Sequence, residues 1–234
     1  MKYIKWNALL SLIFVFGCAS NSNTSVVSVD DMSKVNNYDG LVSYYKSELE
    51  NSPNNKDLTH KLAVAYFDKG DVESAIFYSD HLINQGYRDA EMFELRGQIY
   101  HIDGKDELAT EYYRKSMELG NDSAKVEVLL GVSYCMLRRY PLAENAFNRA
   151  RLKGYSDLAI KNNLAMIRFA EQDYDEAANM LLSLYSQYPS NKKVKTNLAL
   201  SLIKLGEYEQ VRTLLDSDYS DEEIDEISIR LTSI

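Results

Sequence analysis

The sequence predicts an all-α solenoid of five 34-residue helical hairpins, closed at each end by a capping helix. Three observations predict it. Residues 56–225 divide without insertion or deletion into five blocks of 34: 56–89, 90–123, 124–157, 158–191 and 192–225. Position 8 of every block is small (Ala63, Gly97, Gly131, Ala165, Ala199). Position 20 is Ala75, Ala109, Ala143, Ala177 and then Val211. A small residue followed by another twelve positions on, repeated in every period, marks two helices whose backbones approach closely. One such hairpin cannot bury its own apolar stripe, so hairpins stack and share a continuous core.

Further columns keep the same phase. Position 7 is Leu62, Leu130, Leu164 and Leu198, with Arg96 as the exception. Position 24 is Tyr113, Phe147, Leu181 and Leu215, with Ser79 as the exception. Position 11 begins with Tyr66, Tyr100 and Tyr134. These columns resemble the tetratricopeptide repeat, whose pattern sets Leu-Gly, Tyr, Ala and an aromatic at fixed offsets; its Trp is missing here. The resemblance implies a fold that presents a groove to a protein partner.

Ahead of the array, residues 1–17 read as a lipoprotein signal peptide. Lys2 and Lys5 give a short positive region, and Ala8–Phe16 an apolar run. That run is shorter than the ~20 residues of a membrane-spanning helix and has the layout of a secretory leader. Val15-Phe16-Gly17-Cys18 resembles a bacterial lipobox. The resemblance implies cleavage before Cys18 and acylation there, and several acyl chains together anchor a chain firmly. Residues 18–37 then read as the lipidated Cys and a flexible polar tether. Ala19, rather than Asp, follows the Cys, and by the same resemblance the destination is the outer membrane, facing the periplasm.

Residues 38–55 read as an N-terminal half-repeat. Tyr38-Asp39-Gly40-Leu41 matches Tyr174-Asp175-Glu176-Ala177 in register, so a lone second-type helix covers the open end of the stack. Within the blocks, Asn55, Asp89, Ser123, Asp157 and Asn191 precede the first helices as N-caps, whose side-chain oxygens accept free backbone N–H groups. Gly86, Gly120 and Gly154 suit the left-handed residue after a second helix, and Gly70, Gly104 and Gly206 the turn inside a hairpin. Tyr140, Tyr174 and Tyr208 open second helices and are expected to pack back on the first. Residues 219–234 read as a C-terminal capping helix: Ser220 and Glu223 form a capping box, and Ile224, Ile227 and Leu231 recur at helical spacing.

Composition narrows the chemistry. Formal net charge is −9 with no basic cluster, which argues against a nucleic-acid partner, since phosphate binding needs grouped Lys and Arg. Apolar content of 45% and charged content of 26% are ordinary globular values. There is no phosphate loop, no Cys-x-x-Cys and no His-Glu-x-x-His. His60 and His101 could face one surface, but they lack further ligands at sensible spacing, so no metal and no cofactor is expected. With Cys18 acylated, Cys135 stands alone and reads as a core residue. No catalytic set and no small-molecule substrate is expected.

The expected site is the groove lined by the first helices. Its candidate residues are Val64 and Phe67, Gln98 and His101, Val132 and Met136, Asn163, Met166 and Phe169, and Asn197 and Leu200. The set is mostly apolar with a few polar anchors, as a peptide site should be. A clamp for a C-terminal carboxylate is a poor match, because position 5 (His60, Glu94, Val128, Asn162, Thr196) carries no Lys.

The last two blocks carry a narrower resemblance. Asn162-Asn163-Leu164-Ala165, Tyr174-Asp175-Glu176-Ala177 and Val194-Lys195-Thr196-Asn197-Leu198-Ala199-Leu200-Ser201-Leu202, followed by Gly206, resemble the C-terminal part of the TadD-like lipoproteins of tight-adherence (Flp-type) pilus assembly. That resemblance implies a non-enzymatic, pilotin-like protein that helps the pilus secretin assemble or stay stable, with the secretin or another Tad pilus component as partner. The alternative is a lipoprotein scaffold for cell-wall hydrolases or another envelope complex.

Overall fold

The structure, a computed structural model, describes residues 28–215 together with Ser220, Glu222, Glu223 and Glu226. The leader, Cys18 and most of the C-terminal cap, including Ile224, Ile227 and Leu231, lie outside the described residues. Among the described residues all regular structure is helical. A short α1 (Val29–Lys34) and α2 (Tyr38–Asn51) precede five hairpins. These are α3 (Lys56–Lys69) with α4 (Val72–Asn84), α5 (Ala90–Ile102) with α6 (Asp106–Glu118), and α7 (Ala124–Met136) with α8 (Tyr140–Leu152). Then come α9 (Asp157–Ala170) with α10 (Tyr174–Gln187) and α11 (Lys192–Leu205) with α12 (Tyr208–Leu215). Each second helix packs on the first helix of its own hairpin and on the first helix of the next. No described helix is long and apolar enough to cross a membrane.

The helix starts follow from side-chain chemistry. Asn55, Asp89, Ser123 and Asn191 accept from the backbone N–H of Leu58, of Glu91 and Met92, of Val126 and of Val194. The fourth cap is one residue earlier than expected. Ser156 accepts from Ala159 N–H, and Asp157 is the first helical residue. Ser156 takes the cap because Asp157 is held by two cations, Arg151 at 2.6 Å and Lys161 at 2.7 Å. At the C-terminal side the capping box is formed: Ser220 N–H donates to Glu223 Oε2 at 2.8 Å, and Glu223 N–H donates back to Ser220 Oγ.

The turn inside every hairpin puts position 15 in the left-handed region. Gly70, Gly104 and Gly206 have φ of 88°, 69° and 78°. Arg138 and Gln172 hold the same position at φ 55° and 68°, where a Cβ meets the following carbonyl. The turn is thus fixed by the stack and not by the residue, and two hairpins carry a strained one.

The core repeats with the period. Position 8 and position 24 touch in the second and third hairpins. A Cβ built on Gly97 would lie 2.5 Å from the Tyr113 ring, and one on Gly131 2.5 Å from the Phe147 ring. Tyr113 and Phe147 are buried. Where position 24 is Ser79, Leu181 or Leu215, position 8 is Ala63, Ala165 or Ala199. The two columns are therefore complementary in size: a flat ring lies on bare backbone, and a smaller side chain leaves room for one methyl.

The two column exceptions, Ser79 and Arg96, meet each other. Arg96 Nη1 donates to Ser79 Oγ at 3.2 Å, and Nη2 donates to Tyr100 Oη at 3.1 Å and reaches Asp80 Oδ1 at 3.1 Å. The guanidinium also lies 4.9 Å over the Tyr100 ring. A large residue in column 7 thus fills the gap left by a small one in column 24 of the hairpin before. The third hairpin buries a charge as well. The Glu127 carboxylate, 1% exposed, accepts from Arg149 Nε at 3.0 and 3.1 Å and from Lys153 Nζ at 3.1 Å.

The start of the array differs from expectation. Residues 29–34, expected within the flexible tether, form α1. Ser28 caps it by accepting from Asp31 N–H, and Met32 is buried with Leu41, Val42, Leu62 and Ala65. Met32 Sδ would lie 2.7 Å from a Cβ on Gly40, so the glycine of α2 seats it. Tyr208, expected to pack back, is 41% exposed.

Two predictions follow from this packing. Gly131→Leu should lower the thermal midpoint by overpacking, roughly 1–3 kcal/mol or more. The sharper form is a change of sign, read by urea denaturation. Gly131→Ala should destabilise the natural chain, yet stabilise a Phe147→Leu background, where the ~1 kcal/mol helix preference for Ala over Gly is no longer cancelled by a clash. Equal effects in both backgrounds would refute the size coupling. Gln172→Gly should raise stability by about 1 kcal/mol by relieving the left-handed residue, and Gly70→Ala should lower it by a similar amount. A destabilised Gln172→Gly would refute the strain.

Candidate functional site

The first helices neighbour one another across hairpins, α5 beside α7 and α9 beside α11. Between α3, α5 and the start of α7 they enclose a groove of ≈ 350 Å³. Val64, Phe67 and Gln98 line it, as expected from their columns. The repeat carries the same column forward to Val132, Met166 and Leu200, each half-buried. Val132 leans on the core of the third hairpin and Met166 on that of the last two. Met136 is 64% exposed, the freest apolar side chain of the set.

The N-terminal part of this groove is more charged than the sequence reading had it. Asp68, Glu91, Glu94 and Lys125 line it together with Asn121. Glu94 is held on both oxygens, by Lys125 Nζ at 2.7 Å and by Asn121 Nδ2 at 2.8 Å. Burial pushes the Asp68 carboxyl up from the usual range, with Lys125 pulling the other way. Asp68 shares position 13 with the expected Met136 but is a carboxylate, and Asn121 lies in a loop outside the repeated columns. Reading the acidic residues at positions 2 and 5 as a set would have found Glu91 and Glu94.

His101 is engaged by its own hairpin and the next. Its Nδ1 lies 2.6 Å from Asp106 Oδ1 and 3.4 Å from Ser133 Oγ. A serine, a histidine and an aspartate are thus together, but both partners approach the same ring nitrogen. A nucleophile–base relay needs the two nitrogens to serve different partners, so this contact joins the hairpin and is not a triad. Position 12 meets position 17 elsewhere too: Phe169 stacks edge-on against Tyr174 at 5.2 Å. Phe169 therefore closes its own hairpin. Burial pushes the Cys135 thiol up to about 11, with Glu144 adding to the shift, which keeps it protonated and unreactive near neutral pH.

Asn163 is half-buried on α9. Asn197 Nδ2 donates to Asn162 Oδ1 at 2.9 Å, an amide pair that joins α9 to α11. Asn162 is buried, and its own Nδ2 has no partner among the described residues. The anchor role expected of Asn197 is thus partly taken up inside the array, by a neighbour one column away.

His60 sits on α3 against the loop that leads into α5. One nitrogen of His60 and one oxygen each of Asp89 and Glu91 lie within 4.8 Å of one another. Burial lowers the His60 pKa, against the nearby carboxylates of Asp89, Glu91 and Asp57, which favours the neutral imidazole. Tyr87 closes the same corner, its hydroxyl donating to Asp57 Oδ1 at 3.1 Å. Its own pKa is pushed up to about 12 by burial and by that bond.

Comparison with known proteins agrees with this architecture. Three family models described as tetratricopeptide repeat match residues 90–122, 129–192 and 168–218, together more than half of the chain. Tetratricopeptide repeat protein 8 of Caenorhabditis elegans is 22% identical over 175 residues, covering 74% of this chain and 35% of its own. The chain therefore spans about a third of that relative's length. Among solved structures, a tetratricopeptide repeat protein from Parabacteroides merdae superposes with a TM-score of 0.68 at 15% identity, over 88% of this chain and 96% of its own. The pilF protein of Pseudomonas aeruginosa superposes with a TM-score of 0.58 at 18% identity, over 76% of this chain and 83% of its own. The stacked hairpins, the shared core and the matched segments make this chain a member of the tetratricopeptide-repeat family, whose proteins mediate protein–protein interaction.

Proposed function

We propose that this chain is a lipid-anchored periplasmic adaptor of the outer membrane that holds a protein partner in the groove of its first helices. The partner proposed is a component of a tight-adherence pilus, first of all its secretin. The anchor is Cys18, and the array is the part that recognises the partner. The observation that carries the reading is the sequence of the last two hairpins, where Asn162, Asn163 and Asn197 recur at the positions that carry the resemblance to pilus-assembly lipoproteins. The amide pair between Asn162 and Asn197 supports it, because it gives those residues a physical reason to recur. The groove beside them offers Met136, Met166 and Leu200 as apolar contacts, and burying apolar area is the main driving force for association.

The reading makes the following prediction. Labelled palmitate should enter the chain and be lost with Cys18→Ser. Deletion should abolish secretin multimers on an immunoblot while muropeptides stay normal. Asn163→Ala combined with Met136→Glu should weaken capture of the secretin by about tenfold or more, roughly 1.4 kcal/mol, with the helical circular-dichroism spectrum kept. These two positions are chosen because Phe169 also closes its hairpin. Unlabelled protein would refute the anchor. Normal secretin multimers with altered muropeptides would favour the cell-wall scaffold instead.

A further inference from the structure

We infer that His60, Asp89 and Glu91 form a binding site for a divalent transition-metal ion, with Zn²⁺ as its probe, clipping the first hairpin to the second. The three residues come from two first helices one period apart. His60 lies in the middle of α3, Asp89 is the N-cap of α5, and Glu91 lies in the first turn of α5. One donor atom from each lies within 4.8 Å of the other two.

The Asp89 carboxylate stands in front of a buried imidazole without bonding to it. His60 is only 6% exposed, and its two nitrogens stand differently. Nε2 has no hydrogen-bond partner among the described residues. Nδ1 points at Asp89 Oδ1 from 3.8 Å, beyond hydrogen-bond reach. A buried polar atom without a partner costs about 1–3 kcal/mol. If Nδ1 carries the lone pair, it faces carboxylate oxygens, and that arrangement is repulsive unless a cation lies between them.

The donor set fits a dication. Imidazole selects a first-row transition ion over Mg²⁺ or Ca²⁺, and carboxylates complete such sites. Two carboxylates and a neutral imidazole balance the charge of the ion. A tetrahedral ion with bonds of about 2.0–2.1 Å sets its donors roughly 3.3 Å apart, so the three atoms must draw in by several tenths of an ångström to about 1.5 Å. Glu91 is exposed and free to do so. Asp89 Oδ1 accepts from two backbone N–H groups at 2.9 and 3.1 Å, which fixes that carboxylate in place beside the ring. Glu91 also lines the groove, so a bound ion removes negative charge from the wall that a partner meets.

The test uses the untagged full chain in detergent, stripped with chelator and titrated with Zn²⁺ by calorimetry, with the thermal midpoint as a second readout. One Zn²⁺ should bind per chain and raise the midpoint, as any ligand specific to the folded state does. Glu91→Gln alters an exposed side chain, and Asp89→Asn keeps an N-cap of equal quality, so neither threatens the fold. Each should weaken Zn²⁺ binding by about tenfold or more. His101→Asn should bind as the natural chain does. The inference is overturned if the natural chain shows no saturable binding, if Glu91→Gln and Asp89→Asn titrate unchanged, or if His101→Asn removes the site.

Discussion

The stack depends on how closely two helices of one hairpin can approach. In the second and third hairpins a whole aromatic ring lies flat on a glycine, Tyr113 on Gly97 and Phe147 on Gly131, with no room for one further carbon. Those rings are among the largest fully buried side chains of the protein. They fix the separation of the paired helices, and through it the distance at which the next hairpin can dock. The groove inherits its spacing from this contact, because its walls are the first helices that the rings hold in register. Close-packed interiors transmit such displacements and do not absorb them.

The first hairpin meets the same constraint differently. Ser79 stands where the others have a ring or a leucine, and Arg96 from the following helix occupies the space. Burying a guanidinium is costly unless its donors are matched. Here a hydroxyl, a phenol and the Asp80 carboxylate match most of them, while Nε has no partner among the described residues. The first two hairpins are thereby joined by directional polar bonds as well as by apolar contact, and they are also the two that share His60, Asp89 and Glu91.

Much of this was legible in the sequence, because it is local chemistry repeated. A cap bonds a backbone three residues away, a turn needs one left-handed residue, and small residues twelve apart describe one hairpin. What escaped is what lies one period away. Columns 8 and 24 are each plain in the sequence, but their coupling in size appears only when the two helices face each other. Arg96 and Ser79 stood as separate exceptions, 17 residues apart. Asn162 and Asn197 pair across 35 residues, and His60 meets Asp89 and Glu91 across the loop between hairpins. In a solenoid the informative separations are close to the length of one repeat, and a search for ligands at short spacing passes over them. Helix α1 escaped for another reason: six residues give no period, and only the burial of Met32 beside Gly40 distinguishes them from a tether.

The electrostatics of the groove follow from the same arrangement. Its N-terminal end gathers Asp68, Glu91 and Glu94 around the single cation Lys125 that lines that cavity. The columns that continue it present Val132, Met136, Met166 and Leu200 instead. An extended segment laid along this surface meets carboxylates at one end and apolar side chains at the other. On the groove reading proposed above, charge would contribute mainly to orientation and to the rate of encounter, with affinity drawn from the apolar end, where water is displaced. A segment of reversed direction would place its basic residues against Met136 and its apolar ones against Glu91, leaving both mismatched. On that reading, polarity along the stack specifies a direction of binding, even though each hairpin repeats the same backbone.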